Sequence, residues 1–158
     1  MPKLGDSYST GKGGEKDTWS YLSNLGFVRP SKEQRKSIES IFKERGIVIN
    51  KRGFDVINKN WNKNDPPVLY EVKSCGSVRG KKIAEGFKGL GFTLTEAEKK
   101  NAEALRENFQ FIFVNVATQK HLIVRLEEFF HSKHARIYPT WSVFIITDLS
   151  PTKRSSGN

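Results

Sequence analysis

The sequence predicts a mixed β-sheet flanked by helices, an α/β or α+β sandwich. Two observations lead there. The apolar pattern runs first at helical spacing, then at strand spacing, then helical again, and ends in strands. The segment Phe109 to Val116 is almost continuously apolar, as expected of a strand covered on both faces.

The elements follow in order. Trp19, Leu22 and Leu25 recur at helical spacing from Glu15, and Gly26 stops that helix. A second helix follows Pro30, where Ser31 and Gln34 form a capping-box signature. Ile38, Ile41 and Phe42 give it an apolar stripe, Lys32, Arg35, Lys36 and Lys43 a basic face, and Gly46 an end. Strands are predicted at Ile47 to Ile49, Phe54 to Ile57 and Val68 to Cys75, with a polar turn region from Asn58 to Pro67. Gly76 to Gly91 reads as a loop with five glycines. Thr95 and Glu98 form a second capping box for a helix running to about Asn108, with Ala97, Ala102 and Leu105 inward. After Phe109 to Val116, a turn at Thr118-Gln119 leads to strands at His121 to Leu126 and Trp141 to Thr147. One domain is expected over 15–149, between a flexible segment at 1–14 and a basic tail at 150–158.

The 158 residues suffice for a core without staples, and 36% hydrophobic content excludes a disordered chain. Lys and Arg number 27 against 17 acids, a net charge of +10, which attracts polyanions, nucleic acid first among them. No basic amphipathic helix with a wide apolar face favours a membrane partner. The single cysteine, Cys75, forms no internal disulfide, and Met1 to Gly14 lacks the apolar stretch of a signal peptide. A cytoplasmic, reducing location is expected.

The chemistry centres on Gly53-Phe54-Asp55-Val56-Ile57 and Tyr70-Glu71-Val72-Lys73-Ser74. Side chains alternate along a strand, so Glu71 and Lys73 share a face while Val68, Tyr70 and Val72 turn into the core. Two charges on an apolar strand are costly to desolvate unless something compensates. A hard divalent cation would: Mg²⁺ is held by one or two carboxylates with water and phosphate oxygens. Asp55 and Glu71 supply the carboxylates from neighbouring strands, and Lys73 is placed to hold or deprotonate an attacking water. The plain alternative is an ordinary Glu–Lys pair on a surface strand, because E-x-K occurs often by chance.

G-F-D-V-I followed by L-Y-E-V-K-S resembles the core motif of the PD-(D/E)XK nuclease superfamily, which includes many type II restriction enzymes and Holliday-junction resolvases. Phe54 stands where the proline of that name would be, a departure that removes no ligand. Gly91-Phe92-Thr93-Leu94-Thr95-x-x-Glu98 and Phe111-Ile112-Phe113-Val114 are similar to the NO VEIN C-terminal type of domain within it. The resemblance spans about Glu15 to Leu126. It implies a restriction-endonuclease-like central mixed sheet, Mg²⁺ with Mn²⁺ as substitute, and a metal set of Asp55, Glu71 and Val72. It adds Glu15 as a further acid on the first helix, although acids suit any first helical turn.

Cationic Arg79, Lys81, Lys82 and Lys88, on a glycine-rich loop directly after the Glu71 strand, are expected to grip DNA backbone, together with Thr93. Thr95 is first of all a helix cap. His121, His131 and His134 have no metal-ligand spacing; Trp61 is a candidate to stack on bases or simply part of an exposed turn. Cys75 has no accompanying nucleophile pattern. Together these give a Mg²⁺-dependent endonuclease cutting double-stranded DNA in the manner of a type II restriction enzyme, as a homodimer, with Phe129-Phe130 and the first helices as candidate interface. The rivals are a structure-specific nuclease, of resolvase or repair type, and a DNA-binding module with a silent nuclease fold.

Overall fold

The computed structural model describes residues 12–75 and 92–130, with side chains over 15–74 and 92–128. It is an α+β fold around one five-stranded mixed sheet in the order β1-β2-β3-β4-β5. The strands are β1 (Phe27–Val28), β2 (Val56–Asn58), β3 (Leu69–Cys75), β4 (Phe109–Asn115) and β5 (Lys120–Val124). Neighbours pair antiparallel except β3 and β4, which run parallel, with Leu69 opposite Phe109 and Cys75 opposite Asn115. A parallel pair needs a crossover, and α3 (Glu96–Leu105) lies within this one.

Alternation along β4 divides the core. Phe109, Phe111 and Phe113 join Ile38 and Phe42 of α2 (Lys32–Glu44) and Ala102 and Leu105 of α3. Ile112 and Val114 face the other way and meet Leu22 of α1 (Lys12–Asn24). The sheet is therefore covered by α1 on one face and by α2 and α3 on the other. The nearly continuous apolar run of β4 has this cause, since both of its faces are buried.

The capping boxes form as expected: Ser31 accepts from Gln34 N–H and Thr95 from Glu98 N–H, each returned by the N3 side chain. Gly26 and Gly46 end their helices with φ of +87° and +75°, the left-handed region that glycine enters without steric cost. The Thr118-Gln119 turn also forms, with Gln119 at φ +50°.

Several expectations are corrected. Helix α1 begins at Lys12, inside the segment expected to be flexible. Leu25 is exposed, because the chain tightens after Asn24 and Leu25 leaves the apolar stripe. Ile47 to Ile49 form no strand: the main chain of Asn50 is engaged by a side-chain amide, with Asn101 Oδ1 accepting from Asn50 N–H at 2.7 Å and Asn101 Nδ2 donating to Asn50 O at 2.8 Å. β2 covers Val56–Asn58 and not Phe54 to Ile57. The helix expected to reach Asn108 ends at Leu105 and tightens into a 3₁₀ turn, Arg106–Asn108. Strand β1 and the short helix α4 (Leu126–Phe130) were not legible in the pattern. Arg35 leaves the solvated basic face: it lies over the Phe54 ring at 4.4 Å and donates to Lys51 O at 2.7 Å. The expected strand at Trp141 to Thr147, the loop at Gly76 to Gly91, and His131 and His134 lie outside the described residues.

The close approach of α3 to the turn before Asp55 sets the geometry of the site. A Cβ on Gly53 would stand 2.6 Å from Asn101 Nδ2 and 2.7 Å from Ala97 O. Gly53→Ala is predicted to destabilise the fold by about 1–3 kcal/mol through overpacking. Asn101→Ala, which strands both Asn50 groups, costs a similar ~1–3 kcal/mol. Urea midpoints measure both; unchanged midpoints would show that α3 does not hold this turn.

Candidate active site

Strand β3 places Glu71 and Lys73 on the face that Leu69 shares with α2 and α3, while Tyr70 and Val72 pack with the α1 cluster. Glu71 is thus 7% exposed, beneath the N-terminal turn of α3. Lys73 Nζ donates to Glu71 Oε1 and to Glu98 Oε1, both at 2.9 Å. Its ammonium also lies 5.8 Å from the centre of the Phe92 ring.

Asp55 arrives from just before β2, the strand beside it. The β2–β3 ladder pairs Val56 with Tyr70, and Asp55 N–H then donates to Tyr70 O at 2.8 Å, one residue off that register. Beyond this point the side chain replaces the main chain: Asp55 Oδ2 accepts from Val72 N–H at 3.0 Å. A strand residue directs its N–H and C=O to the same side, so the Val72 carbonyl looks toward Asp55 as well. Arg35, on the Phe54 carbonyl at 3.3 Å, brings a positive charge close to Asp55.

The electrostatics are lopsided. Burial, and then the charge of Asp55, push the Glu71 carboxyl up to about 8, against the pull of Lys73. Burial alone would lower Lys73, but Glu71 and the hydrogen bonds to Glu98 and Glu71 hold it above its ordinary value. Burial likewise opposes the charge on Glu98, yet the hydrogen bond and charge of Lys73 keep that carboxyl below the usual range. Burial and the neighbouring carboxylates therefore favour the neutral form of Glu71, while Lys73 and Glu98 hold each other in the charged form.

Of the residues predicted from sequence, the fold brings together Asp55, Glu71, Lys73 and the Val72 main chain. It does not bring Glu15 into this cluster: Glu15 is exposed on α1, which covers the opposite face of the sheet, and accepts from Trp19 Nε1 at 3.2 Å. Among the described residues no three His, Cys, Asp or Glu side chains converge as a metal-ligand group. Thr93 is exposed three residues before α3, and Arg79, Lys81, Lys82 and Lys88 lie outside the described residues. Trp61 is a brace and not an exposed ring, half-buried against the core with Nε1 donating to Asp65 O at 2.7 Å. His121 is exposed, its Nδ1 2.9 Å from Tyr21 Oη.

Glu98 is the residue that sequence reading missed as part of the site. In the sequence it stood out as the capping partner of Thr95 and as the last residue of the Gly91-to-Glu98 resemblance, with no role at the site attached to it. The capping box fixes where α3 starts, and a strand lysine facing that helix start needs an anion there.

A pH prediction follows from Glu71. Its folded pKa is raised, so the stability it contributes is full below the ordinary carboxylate value and is lost as pH rises through about 8. In metal-free buffer, Glu71→Gln removes this loss. The Tm of the variant minus that of the parent is expected to grow steadily from pH 5 to about 8. A difference that stays constant across this range would show that Glu71 ionises normally.

No family model, no curated protein and no solved structure matches the chain.

Proposed function

We propose that the chain is a Mg²⁺-dependent endonuclease that hydrolyses phosphodiester bonds in double-stranded DNA. The observation that carries this reading is the meeting of Asp55, just before β2, with Glu71 of β3, beside an ammonium group, at a place with more carboxylate than cation. The donor set suits the metal. Mg²⁺ prefers oxygen and is commonly held by one or two carboxylates, keeping several waters and taking phosphate oxygens. Asp55 keeps its second oxygen, Glu71 needs only to release a proton, and the Val72 carbonyl faces the same side. This is also the motif whose resemblance to the PD-(D/E)XK superfamily the sequence carries.

When bound, Mg²⁺ would supply Lewis acidity toward a phosphate oxygen and a lowered water pKa. The protein's own part is positional and electrostatic. Glu71 and Glu98 favour the charged form of Lys73, which suits it to holding the water or the scissile phosphate. Asp55 is fixed by Val72 N–H, so its carboxylate is preorganised. The net charge of +10 draws the polyanion in, and Arg79, Lys81, Lys82 and Lys88 stand in the segment that leaves the Glu71 strand. Thr93, just before α3, is a further candidate DNA contact. A two-fold dimer would present one such site to each strand of the duplex, as a restriction-type enzyme requires.

Plasmid and phage DNA incubated with Mg²⁺ or Mn²⁺ test this. Discrete fragments are expected, and Asp55→Ala and Lys73→Ala should abolish cleavage while leaving DNA binding measurable. Neutralising Lys81 and Lys82 should weaken binding and reduce its log–log salt slope by about one per lost phosphate contact. A mobility shift without cleavage in either metal, or wild-type cleavage by the Asp55 variant, would overturn the proposal.

A further inference from the structure

Lysine is a flexible stem carrying a point charge, and its position is only as fixed as its anchors. Lys73 has two, and they differ in kind. Glu71 lies on the same strand, two residues away, and in the reading above it is also a metal ligand. A cation and the ammonium would then compete for one carboxylate. Glu98 comes from a different element and has no such competing duty.

Its carboxylate is itself pinned. Oε2 accepts from Thr95 N–H at 3.1 Å while Oε1 accepts from Lys73 Nζ at 2.9 Å. Glu98 N–H in turn donates to Thr95 Oγ1 at 3.3 Å, and the residue is 5% exposed. The helix that carries it is locked to the turn before Asp55 through Asn101 and the close contact of Ala97 with Gly53. A single rigid element therefore relates the lysine to the aspartate.

We propose that Glu98 is the positioning residue for Lys73, holding the ammonium from helix α3 so that Glu71 remains available to a divalent cation. This deepens the nuclease reading and rests on it for its catalytic consequence, though the anchoring itself does not.

The capping box supplies a clean separation. Gln serves at N3 as well as Glu, so Glu98→Gln keeps the cap and removes the charge on Lys73. Thr95→Ala weakens the cap and keeps the carboxylate. In the full chain, limited acetylation with acetic anhydride, read by peptide mass spectrometry against Lys99 and Lys100, reports how firmly Lys73 is held. Glu98→Gln, which leaves the Lys73 ammonium undercompensated and so lowers Tm as well, should label Lys73 severalfold faster and lower kcat for plasmid cleavage on the order of ten- to a hundredfold with KM little changed. Thr95→Ala should lower Tm and leave Lys73 labelling as in the parent. Parental labelling of Lys73 in Glu98→Gln would reduce Glu98 to a helix cap and overturn the inference. If the parent protein cuts no DNA, the nuclease reading fails, and the labelling comparison still decides the role of Glu98.

Discussion

The structure turns on one half-buried ammonium shared by two carboxyl groups. Lys73 links β3, through Glu71, to α3, through Glu98, and it does so inside a face otherwise made of Leu69, Phe111 and Phe113. Such an arrangement is a poor way to gain stability. Desolvating the charges offsets most of their attraction, and well-packed apolar residues in their place are often neutral or better. Removing one partner, by contrast, leaves an uncompensated charge. Perturbed carboxylates grouped in this way are where chemistry is sought.

The rest of the fold positions the cluster. The β2–β3 ladder stops in register at Val56 and Tyr70, and from there the Asp55 side chain takes the hydrogen bond that a main-chain acceptor would otherwise receive. Helix α3 approaches so closely that no side chain fits at Gly53, and Asn101 replaces a strand partner for Asn50. Arg35, stacked on Phe54, secures the same turn from α2. Asp55 thus receives its place from three directions, although it lies outside the regular strand.

Much of this was legible in the residues, for identifiable reasons. Strand and helix periodicity reports burial, so β4 with both faces covered and α2 with Ile38 and Phe42 inward could be read directly. Capping boxes are local chemistry, and both formed. Alternation along β3 was enough to put Glu71 and Lys73 on one face. What could not be read depends on contacts distant in sequence. The apolar Ile47 to Ile49 looks like a strand, and nothing local shows that Asn101, 51 positions from Asn50, takes the main-chain hydrogen bonds of the residue that follows it. The two residues of β1 are too few to carry a period. Glu98 looked complete as a capping residue, because nothing local reveals that its other oxygen meets Lys73. Among the described residues no helix is long and apolar enough to cross a membrane.

The central claim is that Asp55 and Glu71 together bind a divalent cation. Titrating Mn²⁺ into the metal-free protein at pH 8, with free ion followed by electron paramagnetic resonance, tests it without reference to any substrate. Saturable binding is predicted for the parent chain, and its loss in both Asp55→Asn and Glu71→Gln. Undiminished binding in those variants, or none in the parent, would contradict the account.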